Sequence, residues 1–139
     1  MRLCKPVCSE LRVGVLLIGV ALLSGCSGSL DAHACTSNGK VAFWADWPRL
    51  FYGRERAAPS GVTVQARAGH QSMWEVEAEL GAAEPASFLL LYGQKLAGWS
   101  EWAPPAPLRA GQVYHIYMRS GGRTGETIFV AGRLLPCPS

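Results

Sequence analysis

Apolar and polar residues alternate along much of the chain with the period of two that sends successive side chains to opposite faces of a strand. Val62 to Ala68 sets Val62, Val64, Ala66 and Ala68 against Thr63, Gln65 and Arg67. Ser72 to Leu80 sets Trp74, Val76, Ala78 and Leu80 against Glu75, Glu77 and Glu79. A helix could also align Glu75 with Glu79, but strict alternation over this length favours a strand. Val113 to Arg119 places Tyr114, Ile116 and Met118 opposite Val113, His115, Tyr117 and Arg119, and Lys40 to Ala45 places Val41, Phe43 and Ala45 on one face. Ser87 to Tyr92 is an unbroken apolar run, the pattern of a strand buried on both faces. Gly93 and Gly98 bound a turn over Gln94 to Ala97. Gly121-Gly122 predicts a tight hairpin, since glycine tolerates positive φ, with Glu126 to Leu134 as the returning strand and Pro136 and Pro138 ending it. Six or seven strands and no helix beyond the N-terminal region predict an all-β, antiparallel β-sandwich.

The N-terminal 25 residues break this pattern. Arg2, Lys5 and Arg12 precede the apolar run Val13 to Leu23, the layout of an export signal that is removed before folding. The run has 11 residues, against about 20 for a helix that spans a bilayer. Leu23-Ser24-Gly25-Cys26 follows it and resembles the lipobox of bacterial lipoproteins. The resemblance implies cleavage before Cys26, a diacylglycerol on its thiol and acylation of the freed amine, hence a stable membrane anchor carrying several chains. Ser27 stands where an aspartate would signal retention in the inner membrane. The family's sorting rule therefore implies an outer-membrane lipoprotein facing the periplasm.

The chain then divides into a signal peptide (1–25), a short Gly- and Ser-containing tether (26–34) that includes His33, and one domain (35–139). Residues 26–139 keep 10 of the 13 basic and 9 of the 10 acidic side chains, a net charge of +1. The overall +3 belongs mostly to the signal. A nucleic-acid partner would need a basic stripe that this domain lacks. Cys4 and Cys8 leave with the signal and Cys26 carries lipid, so Cys35 and Cys137 remain as a pair in an oxidising compartment. They predict a disulfide joining the two ends of the domain. A metal site is the weaker reading, because two isolated cysteines without CxxC spacing are poor zinc ligands.

Leu108-Arg109-Ala110-Gly111-Gln112-Val113-Tyr114 resembles the L-x-x-G-x-x-Y corner of immunoglobulin-like and fibronectin type III domains. The resemblance implies that Tyr114 packs inside with its hydroxyl bonded to the chain a few residues upstream, and that Leu108 caps the core. A bridge between Cys35 and Cys137 would differ from the inter-sheet disulfide of antibody domains, because it joins the domain's ends.

Catalytic chemistry has thin support. His33, His70 and His115 are the base candidates, and no GxSxG or HExxH motif accompanies them. Gly121, Gly122 and Gly125 join two strands and do not lead a strand into a helix, so they are no phosphate cradle. No metal and no cofactor is expected. The richest unexplained segment is Phe43 to Tyr52, with Trp44, Trp47, Arg49, Phe51 and Tyr52, and Arg54 and Arg56 close behind. These rings either plug the open end of a small sandwich or form a partner surface, where aromatic residues and arginine serve as anchors. Trp99 and Trp102, beside Pro104-Pro105-Ala106-Pro107, pose the same choice. The reading that follows is a lipid-anchored, non-enzymatic binding or assembly module with an envelope protein as partner. The alternative is a small-ligand binder, for example of carbohydrate, or an envelope hydrolase using His70 and His115 with nearby acids.

Overall fold

The computed structural model describes residues 29–49 and 53–139. The signal peptide, Cys26 and the first residues of the tether lie outside the described residues, as do Phe51 and Tyr52. Nine strands and no helix occur among the described residues: β1 (Asp31–Ser37), β2 (Lys40–Arg49), β3 (Gly53–Ala57), β4 (Gly61–Ala66), β5 (Ser72–Ala78), β6 (Leu90–Leu91), β7 (Trp99–Ala103), β8 (Val113–Ser120) and β9 (Arg123–Val130). They form two antiparallel sheets, one of order β1-β2-β3 with β6 also paired to β2, the other of order β7-β5-β4-β8-β9. This is an all-β architecture consistent with a sandwich.

The core comes from the alternating positions. Phe43 and Ala45 of β2, Val62 and Val64 of β4, Trp74 and Val76 of β5, Tyr114, Ile116 and Met118 of β8, and Phe129 of β9 are all buried in one cluster. Trp74 lies at its centre, stacked at 6.2 Å on Phe43 and edge-on to Tyr92 at 5.2 Å. At Gly121 and Gly122 the φ angles are 53° and 75°, and the hairpin closes with Ser120 opposite Arg123.

Several boundaries differ from expectation, each for a local reason. β4 stops at Ala66, and Ala68 is exposed, because Gly69 and His70 turn the chain with positive φ. β5 stops at Ala78, where a turn with Gly81 at φ 81° follows, and Leu80 is fully exposed and does not share the buried face of Trp74. The apolar run Ser87 to Tyr92 contributes just Leu90–Leu91 to a sheet. Its neighbour β2 is paired to β3 from Ala45 onward, which leaves Ala42 and Phe43 for β6. β9 spans Arg123 to Val130 and ends at the Ala131-Gly132 turn, well before the prolines. Strands β3 and β7 fall where the sequence pattern suggests irregular chain.

The stretch assigned to the tether through Ala34 is strand from Asp31 onward, in register with β2. Its alternation is carried by small residues, Ala32 and Ala34, which is why it is faint. Cys35 and Cys137 are joined in a disulfide with Cα atoms 4.9 Å apart. Cys35 is paired in register with the fully buried Ala42. The bridge therefore covers the outer face of β2 and ties the last residues to β1, where the Cys137 amide also donates to the Thr36 carbonyl at 3.0 Å.

Candidate functional site

On the outer face of the first sheet, cross-strand pairing sets His33 opposite Trp44. Their rings stack with centroids 4.1 Å apart and 18° between planes. Two residues along β2 on the same face, Asp46 is 7% exposed, and its Oδ2 stands 3.4 Å from His33 Nε2. Arg56, paired with Asp46 from β3, spreads its guanidinium over Trp44 at 5.6 Å and over Phe88 at 5.3 Å. Phe88 meets Trp44 edge-on at 5.9 Å. Arg56 also donates to the Ser139 carbonyl at 3.0 Å. The result is an exposed arginine whose cation lies over two aromatic rings, an arrangement suited to carboxylates, carbonyls or further aromatic surface.

This cluster opens into a groove of about 890 Å³ across one end of the sandwich, whose walls include Trp47, Arg56, Pro59, Leu80, Phe88 and Trp99. Trp47 closes the end of the core. Its indole N–H donates to Glu55 at 3.0 Å, Arg123 covers its ring at 5.3 Å, and its far edge lies against Gly121, where a Cβ would come within 2.8 Å. Trp99 is half-buried and donates to the Ala83 carbonyl at 2.8 Å. Trp102 stands apart on β7, 70% exposed. Arg49 lies in β2 beyond Trp47.

The histidines do not converge. His70 is exposed in the β4–β5 turn. His115 lies on the outer face of the second sheet, with Glu126 at 3.4 Å from Nε2 and the Tyr117 hydroxyl at 3.1 Å from Nδ1. Glu77 pairs with Arg119 at 3.1 Å, and Glu79 accepts from the Ser100 hydroxyl at 2.5 Å. Among the described residues no group of three or more His, Cys, Asp or Glu is placed to hold a metal ion.

Two tyrosines hold the core from within. Tyr114 is fully buried, and its hydroxyl accepts from the Arg109 amide at 2.8 Å and lies 3.2 Å from Gln112 Oε1. Leu108 packs on the core, and Gly111 takes φ 79° between them. The Tyr92 hydroxyl lies within donating distance of the Met73 and Ala106 carbonyls, at 2.8 and 2.7 Å. Burial pushes its pKa from 10.0 up to about 12.

Of the outer cluster, His33 was read from sequence as a base candidate in the tether and not as part of a partner surface, and Phe88 was not a candidate. The polar alternation of Asp31 and His33 against Ala32 was the available signal for the first. Phe88 sits just before β6, and its outward position follows from the shortness of that strand. The chain matches no family model, no curated protein and no solved structure.

Proposed function

We propose that the chain is a lipid-anchored protein of the bacterial envelope that works as a non-enzymatic binding module, in the outer membrane and facing the periplasm. The observation that carries the binding role is the continuous surface from the His33–Trp44–Arg56–Phe88 cluster into the groove beside Trp47 and Trp99. Aromatic residues and arginine, presented together and already ordered, are the side chains that dominate binding energy at protein interfaces. Their mutual stacking lowers the entropic cost of ordering them on contact. The anchor rests on Leu23-Ser24-Gly25-Cys26, and the membrane on Ser27.

The domain itself we read as immunoglobulin-like. Two features support this reading: β4 and β8 are central in the second sheet, and the Tyr114 hydroxyl is bonded five residues upstream, at the start of β8. The disulfide between the domain's ends is this chain's own variation.

Two measurements test the proposal. Mass spectrometry of the membrane-extracted protein should find an N-terminal Cys26 carrying acyl chains, and an unmodified Cys26 would remove the anchor. A photo-crosslinking residue at Phe88 should trap one envelope protein in intact cells, while the same residue at Ile128, exposed on the other sheet, should not. Equal trapping at both positions, or none at Phe88, would overturn the assignment of this surface.

A further inference from the structure

The chain enters the domain at a fixed point. Ser29 bridges in parallel to Thr124, and the Leu30 amide donates to the Thr124 carbonyl at 2.9 Å. Leu30 is 4% exposed and packs over Gly125. Between Ser29 and Cys26 stand just Ser27 and Gly28. Three residue steps reach about 11 Å when fully extended.

Strand directions define which end this is. β8 runs toward the hairpin at Gly121-Gly122, which touches Trp47, and β5 runs toward the turn at Leu80-Gly81. Trp47, Leu80, Gly81 and Gly121 line one groove, at the end where Ser29 enters beside the turn of the β8–β9 hairpin. The Ser37–Lys40 turn, the Arg67–Gln71 turn and Gly111 lie at the far end. The length of β8 separates the two ends by roughly 23 Å, at about 3.3 Å per residue.

Resting on the lipid-anchored reading above, we infer that the domain stands on the bilayer with this end down, so that lipid headgroups face the Gly121-Gly122 and Leu80-Gly81 turns while the Ser37–Lys40 and Arg67–Gln71 turns point away and the His33–Trp44–Arg56–Phe88 cluster on the outer face of the first sheet is left to the partner. An anchor this short leaves the far end no route to the membrane surface unless the whole domain lies on its side. The side chains at the near end suit such a neighbour. Leu80 is fully exposed there, and Trp47 and Trp99 line the same groove with indoles, the amphipathic rings that favour a membrane interface. Charge at this end is mixed: Glu77 pairs with Arg119, Arg123 lies over Trp47 whose indole donates to Glu55, and Glu79 and Glu84 are exposed. The contact is therefore imposed by the tether and does not need anionic lipid.

The test is paramagnetic relaxation enhancement on the acylated protein, purified from membranes and placed in nanodiscs of zwitterionic lipid with a nitroxide on the headgroup. The amides of Gly81, Gly121 and Gly122 should relax faster than those of Gly39, His70 and Gly111 by about tenfold or more, given the separation of the two ends. Uniform enhancement, or an excess at the far end, would overturn the orientation while leaving the anchor intact. A mass spectrum showing Cys26 without lipid would overturn both, so the two failures are distinguishable.

Discussion

The carbonyl of Leu30 occupies the space in which a side chain at Gly125 would begin. A Cβ there would also fall 2.8 Å from the Leu30 Cβ. The obstacle is main chain and cannot rotate away. Gly125→Ala should therefore cost about 1–3 kcal/mol by overpacking, although an alanine in open strand would ordinarily help. Thermal unfolding would show a fall of roughly 4–8 °C per kcal/mol for a domain of this size. The Leu30 amide should exchange faster than in the parent. An unchanged melting temperature would mean that the entering chain is not held against β9.

The disulfide closes a loop spanning 102 residues, so its loss frees a large part of the unfolded chain. Replacing both cysteines with alanine should cost about 2–4 kcal/mol, read as a lower guanidinium midpoint. The tail should stay docked at neutral pH, because the Thr36 amide still donates to the Leu135 carbonyl at 2.8 Å and the Cys137 position still donates to Thr36. Detachment of residues 135–139 in the variant, seen as early hydrogen exchange at Thr36, would contradict this.

Tyr114→Phe keeps the ring in the core and removes one oxygen. The Arg109 amide then loses its acceptor at a half-buried site, which should cost about 1–2 kcal/mol by urea unfolding. Leu108→Ala should cost a similar amount through lost packing, and the two effects should be less than additive because both residues hold one corner. Full additivity would argue that the corner is not a unit.

Tryptophan replacement separates burial from display. Trp74→Ala should destabilise by about 3–5 kcal/mol, because the ring is fully buried against Phe43 and Tyr92. Trp102→Ala should stay within about 0.5 kcal/mol, because the ring is mostly exposed. Chemical denaturation of the two variants side by side checks the contrast.

Period-two alternation made β4, β5 and β8 and their buried faces legible, because each has one face on the core and one in solvent. The same rule misjudged strand ends, since Ala68 and Leu80 continue the alternation past the points where left-handed turns stop the pairing. Ser87 to Tyr92 shows the opposite failure: strand composition is present, but most of the adjoining edge belongs to β3. The aromatic segment around Trp44 was visible as unusual without its division being visible. Trp47 turns inward to close the core and Trp44 turns outward under Arg56, a difference of one strand face set by the odd spacing between them. His33 was read as a tether residue because small alanines carry the alternation of β1.

Tyr92 makes stability depend on alkaline pH. In the folded protein burial holds its hydroxyl protonated to about pH 12, whereas in the unfolded chain it ionises near 10.0. Between these values the unfolded state has released a proton that the folded state keeps, so the free energy of unfolding falls as pH rises. The contribution is complete below pH 10, declines through the interval and levels off above about 12. Tyr92→Phe removes this descent, and at neutral pH it also removes the donor to Met73 and Ala106. The stability gap between parent and variant should therefore be largest at neutral pH and shrink from pH 10 upward, with one phenolate in the parent's absorbance titration appearing late. A gap that stays constant across this range would mean that the Tyr92 hydroxyl is open to water in the folded protein.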